Sequence, residues 1–159
     1  MTKTETASRS EPPASGLPVS VALQSIDWHA AYQAIGAAVQ AARERGVCIN
    51  VAVVDAGGVL AAFLRMPGAP LHSVDIAIDK AYTAVSFGLA TSQWQAALQQ
   101  HSAAVREGLV LRPRFVAFGG GLPLMENGQR IGGIGVSGAS EEQDEACAQA
   151  GLAAIGLSS

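Results

Sequence analysis

Aromatic residues and cysteines are scarce in this 159-residue chain, and it has no cluster of Lys or Arg and no long apolar run. Aromatics make up 5% of the residues while hydrophobic residues make up 49%, which predicts a core of small aliphatic side chains. The net charge of −3 and the missing basic patch argue against a nucleic-acid partner. Cys48 and Cys147 lack metal-ligand spacing, so we expect two buried or half-buried thiols in a reducing compartment, without a disulfide or a metal site.

The first residues of the chain differ in composition from the rest. Residues 1–19 are rich in Ser, Thr, Glu and Pro and contain no apolar segment of the kind that a secretory signal needs. They predict a disordered leader on a cytoplasmic protein. No run reaches the roughly 20 apolar residues of a membrane span, so no membrane partner is expected. Residues 20–159 have the length of one domain.

Hydrophobic periodicity in residues 20–159 predicts alternating helices and hairpins. The predicted helices cover residues 25–45, 73–87, 91–105 and 140–154, and the last begins with a capping box at Ser140 and Gln143. Strand-like runs cover residues 47–54, 59–64, 115–118, 122–125 and 129–136, and Asn127-Gly128 is a strong hairpin signal. The predicted fold is therefore α+β, with a five-stranded antiparallel sheet flanked by helices.

A glycine-rich stretch from Phe115 to Asp144 contains Gly133-Ile134-Gly135-Val136-Ser137-Gly138, which matches the G-x-G-x-x-G pattern of dinucleotide-binding turns. That motif requires a further strand and an acidic residue about 20 positions downstream, but only one helix follows here. We therefore interpret the stretch as strands that lead into a capped helix. Its amides are open to a carboxylate or phosphate, or its glycines allow close packing against a helix or a second subunit.

Several separated motifs stand out: Val53–Gly58, Arg65, Asp75–Ala84, Phe118–Pro123, Ile131–Gly138 and Asp144. Together they resemble the motifs of the GlcG/HbpS family, which also occurs as the C-terminal domain of PduO-type corrinoid adenosyltransferases. The resemblance covers about residues 21–156. It implies a profilin-like α/β/α architecture and homo-oligomers from dimers to octamers. It also implies a small-ligand-binding protein, labelled haem-binding or haem-degrading, that is accessory to catabolic pathways such as organic acid catabolism.

Haem is therefore one ligand to consider, and its iron needs an axial side chain such as His. His29 and His101 lie within predicted helices, and His72 lies at the entrance of the helix over residues 73–87. An isolated helical His is more often a surface or core residue than a ligand. No organic cofactor is certain, and haem binding through His72 is the hypothesis that the sequence offers.

The alternative is a cofactor-independent enzyme that isomerises, tautomerises or hydrates a small organic acid, or hydrolyses a lactone. Arg65 and Lys80 would bind the carboxylate, and His72, Asp75 or Lys80 would move a proton. Asp55 would complete the ligand site, and oxyanion donors would come from residues in two glycine-rich turns, Gly119, Gly120, Gly121, Ser137 and Gly138.

Two simpler interpretations stay open at this point. Asp79 and Lys80 are rim charges of the helix and Asp55 forms a turn, in which case no acid site exists. Alternatively, the domain is a structural assembly module, which predicts that the glycine-rich stretch is buried at a subunit contact.

Overall fold

A computed structural model describes residues 16–159. Its helices are α1 (Trp28–Glu44), α2 (Ser73–Phe87), α3 (Trp94–Leu98), α4 (Ala103–Leu109) and α5 (Glu141–Ala154). Its strands are β1 (Asn50–Asp55), β2 (Leu60–Arg65), β3 (Gly121–Glu126) and β4 (Gln129–Ser137). Residues 1–15 of the predicted leader lie outside the described residues, and the assignment of residues 20–159 to one domain stays a prediction.

The four strands form one antiparallel sheet in the order β2-β1-β4-β3. β1 and β2 form one hairpin, and β3 and β4 form a second one whose turn is Asn127-Gly128. Both turn residues have positive φ, 50° and 78°, as a type I′ turn requires. Pairing of β1 with β4 joins the two hairpins. The predicted α+β class with an antiparallel sheet flanked by helices is confirmed.

Helices cover both faces of the sheet. α1 and α5 pack together on one face, where Ala34, Ala38, Val51, Ile134 and Leu152 belong to the main apolar cluster. α2 packs on the other face, across β4, β1 and β3. None of the helices within residues 16–159 has the length and apolar character needed to cross a membrane.

α2 lies unusually close to β4 because two glycines of the strand face it. A Cβ atom built on Gly133 would collide with the carbonyl oxygen of Ala81, and one on Gly135 with that of Ala77. The glycines of the G-x-G-x-x-G pattern therefore allow backbone to pack against backbone. Of the two interpretations of this segment, close packing against a helix of the same chain accounts for these two residues.

The sheet has four strands within the described residues, so the expected fifth strand at residues 115–118 is wrong. Arg114, just before it, has φ 66°, which turns the chain away from an extended path. The amide of Val116 then donates to the hydroxyl oxygen of Thr83 at 3.1 Å, where a strand would use a neighbouring backbone. Residues 115–118 are an irregular segment held by α2.

The helix expected over residues 91–105 is also wrong, because the chain is broken there. A 3-10 turn covers Thr91–Gln93, α3 ends at Leu98, and Ser102 starts α4 as its N-cap. Its hydroxyl oxygen accepts from the Val105 amide at 3.4 Å. A Ser that can cap a new helix competes with continuation of the preceding one.

The remaining predicted elements agree with the structure to within a few residues. α2 has the predicted bounds and ends at Gly88, whose φ is 68°. The Ser140 and Gln143 capping box is present at the start of α5. β1 starts three residues later than predicted. Cys48 therefore precedes the strand and is exposed, contrary to expectation, while Cys147 is buried; both thiols are free.

Candidate functional site

The amino group of Lys80 lies inside the protein, paired with a carboxylate. Lys80 is in the middle of α2 and is 1% exposed. Its Nζ donates to the carbonyl oxygen of Val136 at 2.8 Å and to Oδ2 of Asp144 at 2.9 Å. The interpretation of Lys80 as a rim charge is therefore wrong. The pair connects α2 with the first turn of α5, past the end of β4.

Glycines make room for this pair. A Cβ on Gly120 would lie 2.8 Å from Lys80 Nζ and 2.9 Å from Asp144 Cβ, and one on Gly121 would lie 2.6 Å from the Lys80 carbonyl oxygen. The ring of Phe118 has its centroid 5.0 Å from Lys80 Nζ, within the range of a cation–π contact. The structure thus brings together Lys80 and the predicted residues Gly120 and Gly121.

Two of the amides predicted to stabilise an oxyanion, those of Gly119 and Gly121, already have partners. The Gly119 amide donates to Oε2 of Glu141 at 2.9 Å, and the Gly121 amide donates to the hydroxyl oxygen of Thr91 at 2.8 Å. In the second turn, Ala139, the residue after Gly138, donates its amide to Oδ1 of Asp144 at 3.0 Å. At Gly119 and Gly121, side chains of this chain therefore occupy the position that a bound anion would take.

Burial shifts the two charged groups towards neutrality. Desolvation lowers the pKa of Lys80, although the Asp144 carboxylate opposes this shift. Desolvation likewise raises the pKa of Asp144, opposed by the Lys80 ammonium group. Outside the pair, Gly119 and three acidic side chains, Glu141, Glu142 and Glu145, help to line an open concavity of about 400 Å³.

The other predicted site residues lie elsewhere. Asp55 accepts from the amides of Gly57 and Val59 at 2.8 and 2.9 Å, as a turn-forming Asp does, which confirms its interpretation as a turn residue. Arg65 donates from Nη2 to the Ala69 carbonyl oxygen at 2.5 Å. Lys80 is not among the contacts of either residue.

Three predicted site residues lie at the ends of elements. His72 and Asp75 are at the N-terminal end of α2, and Ser137 is the last residue of β4. His72 occupies the N-cap position of α2 without capping it through its side chain, and Asp75 lies in the first turn. Both line an open concavity on the surface, together with Leu71 and Asp79. Ser137 is buried and pairs with Asn50 across the sheet.

A further group at the start of α1 was missed by sequence reasoning. Asp27 caps the helix by accepting from the His29 amide at 2.8 Å, and its Oδ1 lies 3.3 Å from Nδ1 of His29. The His29 side chain is 73% exposed, so an external ligand can reach the imidazole. Trp28 stacks on the imidazole with ring centroids 3.4 Å apart, and Tyr32 is exposed one turn later. The Asp-x-His spacing was the available signal.

Within residues 16–159, no three His, Cys, Asp or Glu side chains form a group that could hold a metal ion. A prosthetic group that brings its own ring nitrogens needs only one or two protein ligands. The exposed imidazole of His29 can supply one such ligand, and its Nδ1 lies close to the Asp27 carboxylate. A carboxylate next to the other ring nitrogen orients histidines that bind metals.

Comparison with known proteins assigns the family. The profile of the family described as "Haem degrading protein HbpS-like" matches residues 26–153. The chain belongs to the HbpS-like family. This HbpS-like chain is 40% identical over 147 residues to the corrinoid adenosyltransferase PduO of Salmonella typhimurium. The matched region covers 92% of the chain and 43% of PduO. The chain thus spans less than half the length of that relative.

Solved structures of similar proteins support the assignment. The crystal structure of Klebsiella pneumoniae protein ORFY matches with a TM-score of 0.80 and 36% identity, covering 87% of this chain and 96% of ORFY. The crystal structure of a PduOC–haem complex matches with a TM-score of 0.77 and 38% identity, covering 84% of this chain and 96% of PduOC. The suspected kinship with HbpS and with the PduO C-terminal domain is confirmed.

Proposed function

We propose that this domain binds haem, with His29 as a ligand of the iron, as an accessory protein of a catabolic pathway. The observation that carries the proposal is the contact between Asp27 Oδ1 and His29 Nδ1, on a histidine whose side chain is 73% exposed. The haem complex of the similar PduOC domain makes haem the first ligand to test. Accessory binding follows the family resemblance.

The residues around His29 fit a porphyrin better than those around His72. Trp28 and Tyr32 offer exposed aromatic surface next to the imidazole, suited to a flat apolar ring. His72 shares its concavity with Asp75, whose carboxylate would repel the haem propionates. When bound, the haem iron would supply redox chemistry or the binding of a small diatomic ligand.

In this arrangement the protein does two things for the iron. Asp27 would orient the imidazole through its contact with Nδ1 and leave Nε2 for the iron, and its negative charge would make the imidazole a better donor. The same carboxylate caps α1, which fixes the start of the helix and with it the position of His29.

Titration of the full chain with haem tests the proposal. We expect a Soret band of protein-bound haem with the wild type, with His72→Ala and with His101→Ala, and its loss with His29→Ala. Loss with His72→Ala instead would move the ligand to α2, as the sequence hypothesis had it. An unchanged spectrum of free haem with the wild-type chain would reject haem binding.

A cofactor-independent enzyme acting on a small organic acid is the second candidate. It is favoured by the paired pKa shifts of Lys80 and Asp144, which are of the kind found in proton-transfer sites. Substrate would have to reach a lysine that is 1% exposed, past the Phe118–Gly119 segment. The predicted site also includes Arg65, His72, Asp75 and Asp55. None of these four side chains is a hydrogen-bond partner of Lys80 Nζ in the described residues.

Thermal-shift screening of small organic acids tests the second candidate, with Lys80→Met and Arg65→Ala as variants. Stabilisation by an acid that both substitutions abolish would support it, and stabilisation that survives both would reject it. Homo-oligomerisation, from dimer to octamer, stays a prediction of the family resemblance, and light scattering of the purified chain measures it.

A further inference from the structure

A separate cleft lies on the α2 side of the molecule, between that helix and the segment that follows α4. Its volume is about 310 Å³. Apolar side chains from both sides line it, among them Phe87, Leu109 and Phe115. Behind them, the buried Trp94 packs edge-on against Phe87 and Phe115, with ring centroids 4.7 and 4.9 Å apart. The aromatic walls are therefore fixed by packing.

Two guanidinium groups, those of Arg112 and Arg114, line the same cleft. Arg114 donates from Nε to Oδ1 of Asp79 at 2.8 Å, and its Cζ lies 3.6 Å from the centroid of the Tyr82 ring. Within the part of the chain that the structure describes, Nη1 and Nη2 of Arg114 contact no acceptor. One carboxylate thus faces two cations, and the cleft keeps an excess positive charge.

The backbone of Arg114 is held in an unusual conformation. Its φ of 66° is in the left-handed region, which a long side chain rarely adopts. Its carbonyl oxygen accepts from the Thr83 hydroxyl at 2.8 Å, and the same hydroxyl oxygen accepts from the Val116 amide at 3.1 Å. Such strained positions cluster at ligand sites, where the surrounding contacts maintain them. Here the contacts hold the guanidinium group of Arg114 against Tyr82.

We propose that this cleft binds an apolar carboxylate, that is, an acid with an aromatic ring or a short alkyl chain. The ring or chain would pack between Phe87, Leu109 and Phe115, where its apolar surface is removed from contact with water. The carboxylate would accept hydrogen bonds from Nη1 and Nη2 of Arg114, with Arg112 as a second cation. This site involves neither His29 nor Lys80, so it stands independently of both functions proposed above.

Calorimetric titration of the full chain with benzoate tests the proposal, with benzamide and acetate as matched ligands. Benzamide keeps the ring and lacks the charge, and acetate keeps the charge and lacks the ring. We expect benzoate to bind at least about tenfold more tightly than either of them. Binding of benzoate and acetate with the same affinity would overturn the proposal, as would no measurable heat with benzoate at millimolar concentrations.

Variants locate the site. Arg114→Gln should weaken benzoate binding by at least about tenfold, since it removes a charged hydrogen-bond donor. Arg43→Gln, at an exposed Arg of α1, and His29→Ala should leave the affinity unchanged. If the Arg114→Gln protein does not fold, the benzoate affinity of Arg112→Gln tests the assignment, because that variant keeps the contact between Arg114 and Asp79. Wild-type affinity in the folded arginine variants of the cleft would place benzoate elsewhere and overturn the assignment.

Discussion

Lys80 and Asp144 form an ion pair at 2.9 Å in which both side chains are at most 3% exposed. The two residues are 64 positions apart in the sequence and belong to helices on opposite faces of the sheet. A charge in such a place is tolerated only with its partner present, so each residue depends on the other.

Removing one member of this pair should destabilise the protein strongly. We expect Lys80→Met to lower the free energy of unfolding by about 3–5 kcal/mol, because it leaves the Asp144 carboxylate buried without a counter-ion. The double variant Lys80→Met/Asp144→Asn should recover much of the loss, since Asn can still accept from the Ala139 amide. Urea denaturation measures both. Asp75→Asn, exposed on the same helix, should change stability by less than about 0.5 kcal/mol; strictly additive effects in the double variant would contradict the coupling.

The glycines beneath α2 should differ from an exposed helical glycine in their response to a methyl group. Gly135→Ala places Cβ against the Ala77 carbonyl oxygen and 2.5 Å from the Ala81 amide nitrogen. Because these are backbone atoms, we expect a loss of about 3 kcal/mol or more. Gly36→Ala, in open space on α1, should add about 0.5–1 kcal/mol. Thermal unfolding of the two variants makes the comparison, and a Gly135→Ala protein of wild-type stability would refute the close packing.

The role of Asp27 in haem binding can be separated from its role as a helix cap. Asn is as good an N-cap as Asp but lacks the negative charge, so Asp27→Asn should keep α1 intact. We expect the affinity for haem to fall by about 10–100-fold, as is usual when a carboxylate that orients a metal-binding histidine is lost. Haem titration gives the affinity and circular dichroism the helix content. An unchanged affinity would show that Asp27 does not assist the ligand.

The two cysteines should react at different rates. Cys48 is exposed, whereas Cys147 is buried and burial raises the pKa of its thiol, which leaves less thiolate at a given pH. Iodoacetamide at pH 8 should therefore modify Cys48 in the native protein and Cys147 only after denaturation. Mass spectrometry of digested protein identifies the labelled residue. Rapid labelling of native Cys147 would indicate that α5 opens readily.

Local signals in the sequence predicted those features of the fold that depend on residues adjacent in the chain, such as helix ends and hairpin turns. Gly88 ends α2 and Asn127-Gly128 turns the second hairpin, and both act through the backbone conformation of one or two residues. Contacts between distant residues could not be predicted in this way. Asp144 belongs to the motifs that resemble the family, but no residue near it in the sequence indicates Lys80 as its partner.

The same distinction explains the errors. Val116 is a residue type that favours strands. Its amide, however, donates to the hydroxyl oxygen of Thr83, 33 positions earlier, so the fifth strand does not form. Lys is a residue type usually found on the surface, but the volume left free at Gly120 admits the Lys80 amino group to the interior. Which volume a glycine leaves open depends on the elements that pack over it, and these are not adjacent in sequence.

The contact of backbone with backbone at Gly133 and Gly135 limits how the molecule can move. Between α2 and β4 there are no intervening side chains at these points that could change rotamer and let the helix slide or roll. We therefore expect Lys80, Tyr82 and Thr83 to move together with the sheet. We therefore expect the cleft lined by Arg112 and Arg114 to open by displacement of residues 99–119, and hydrogen exchange of that segment measures this motion.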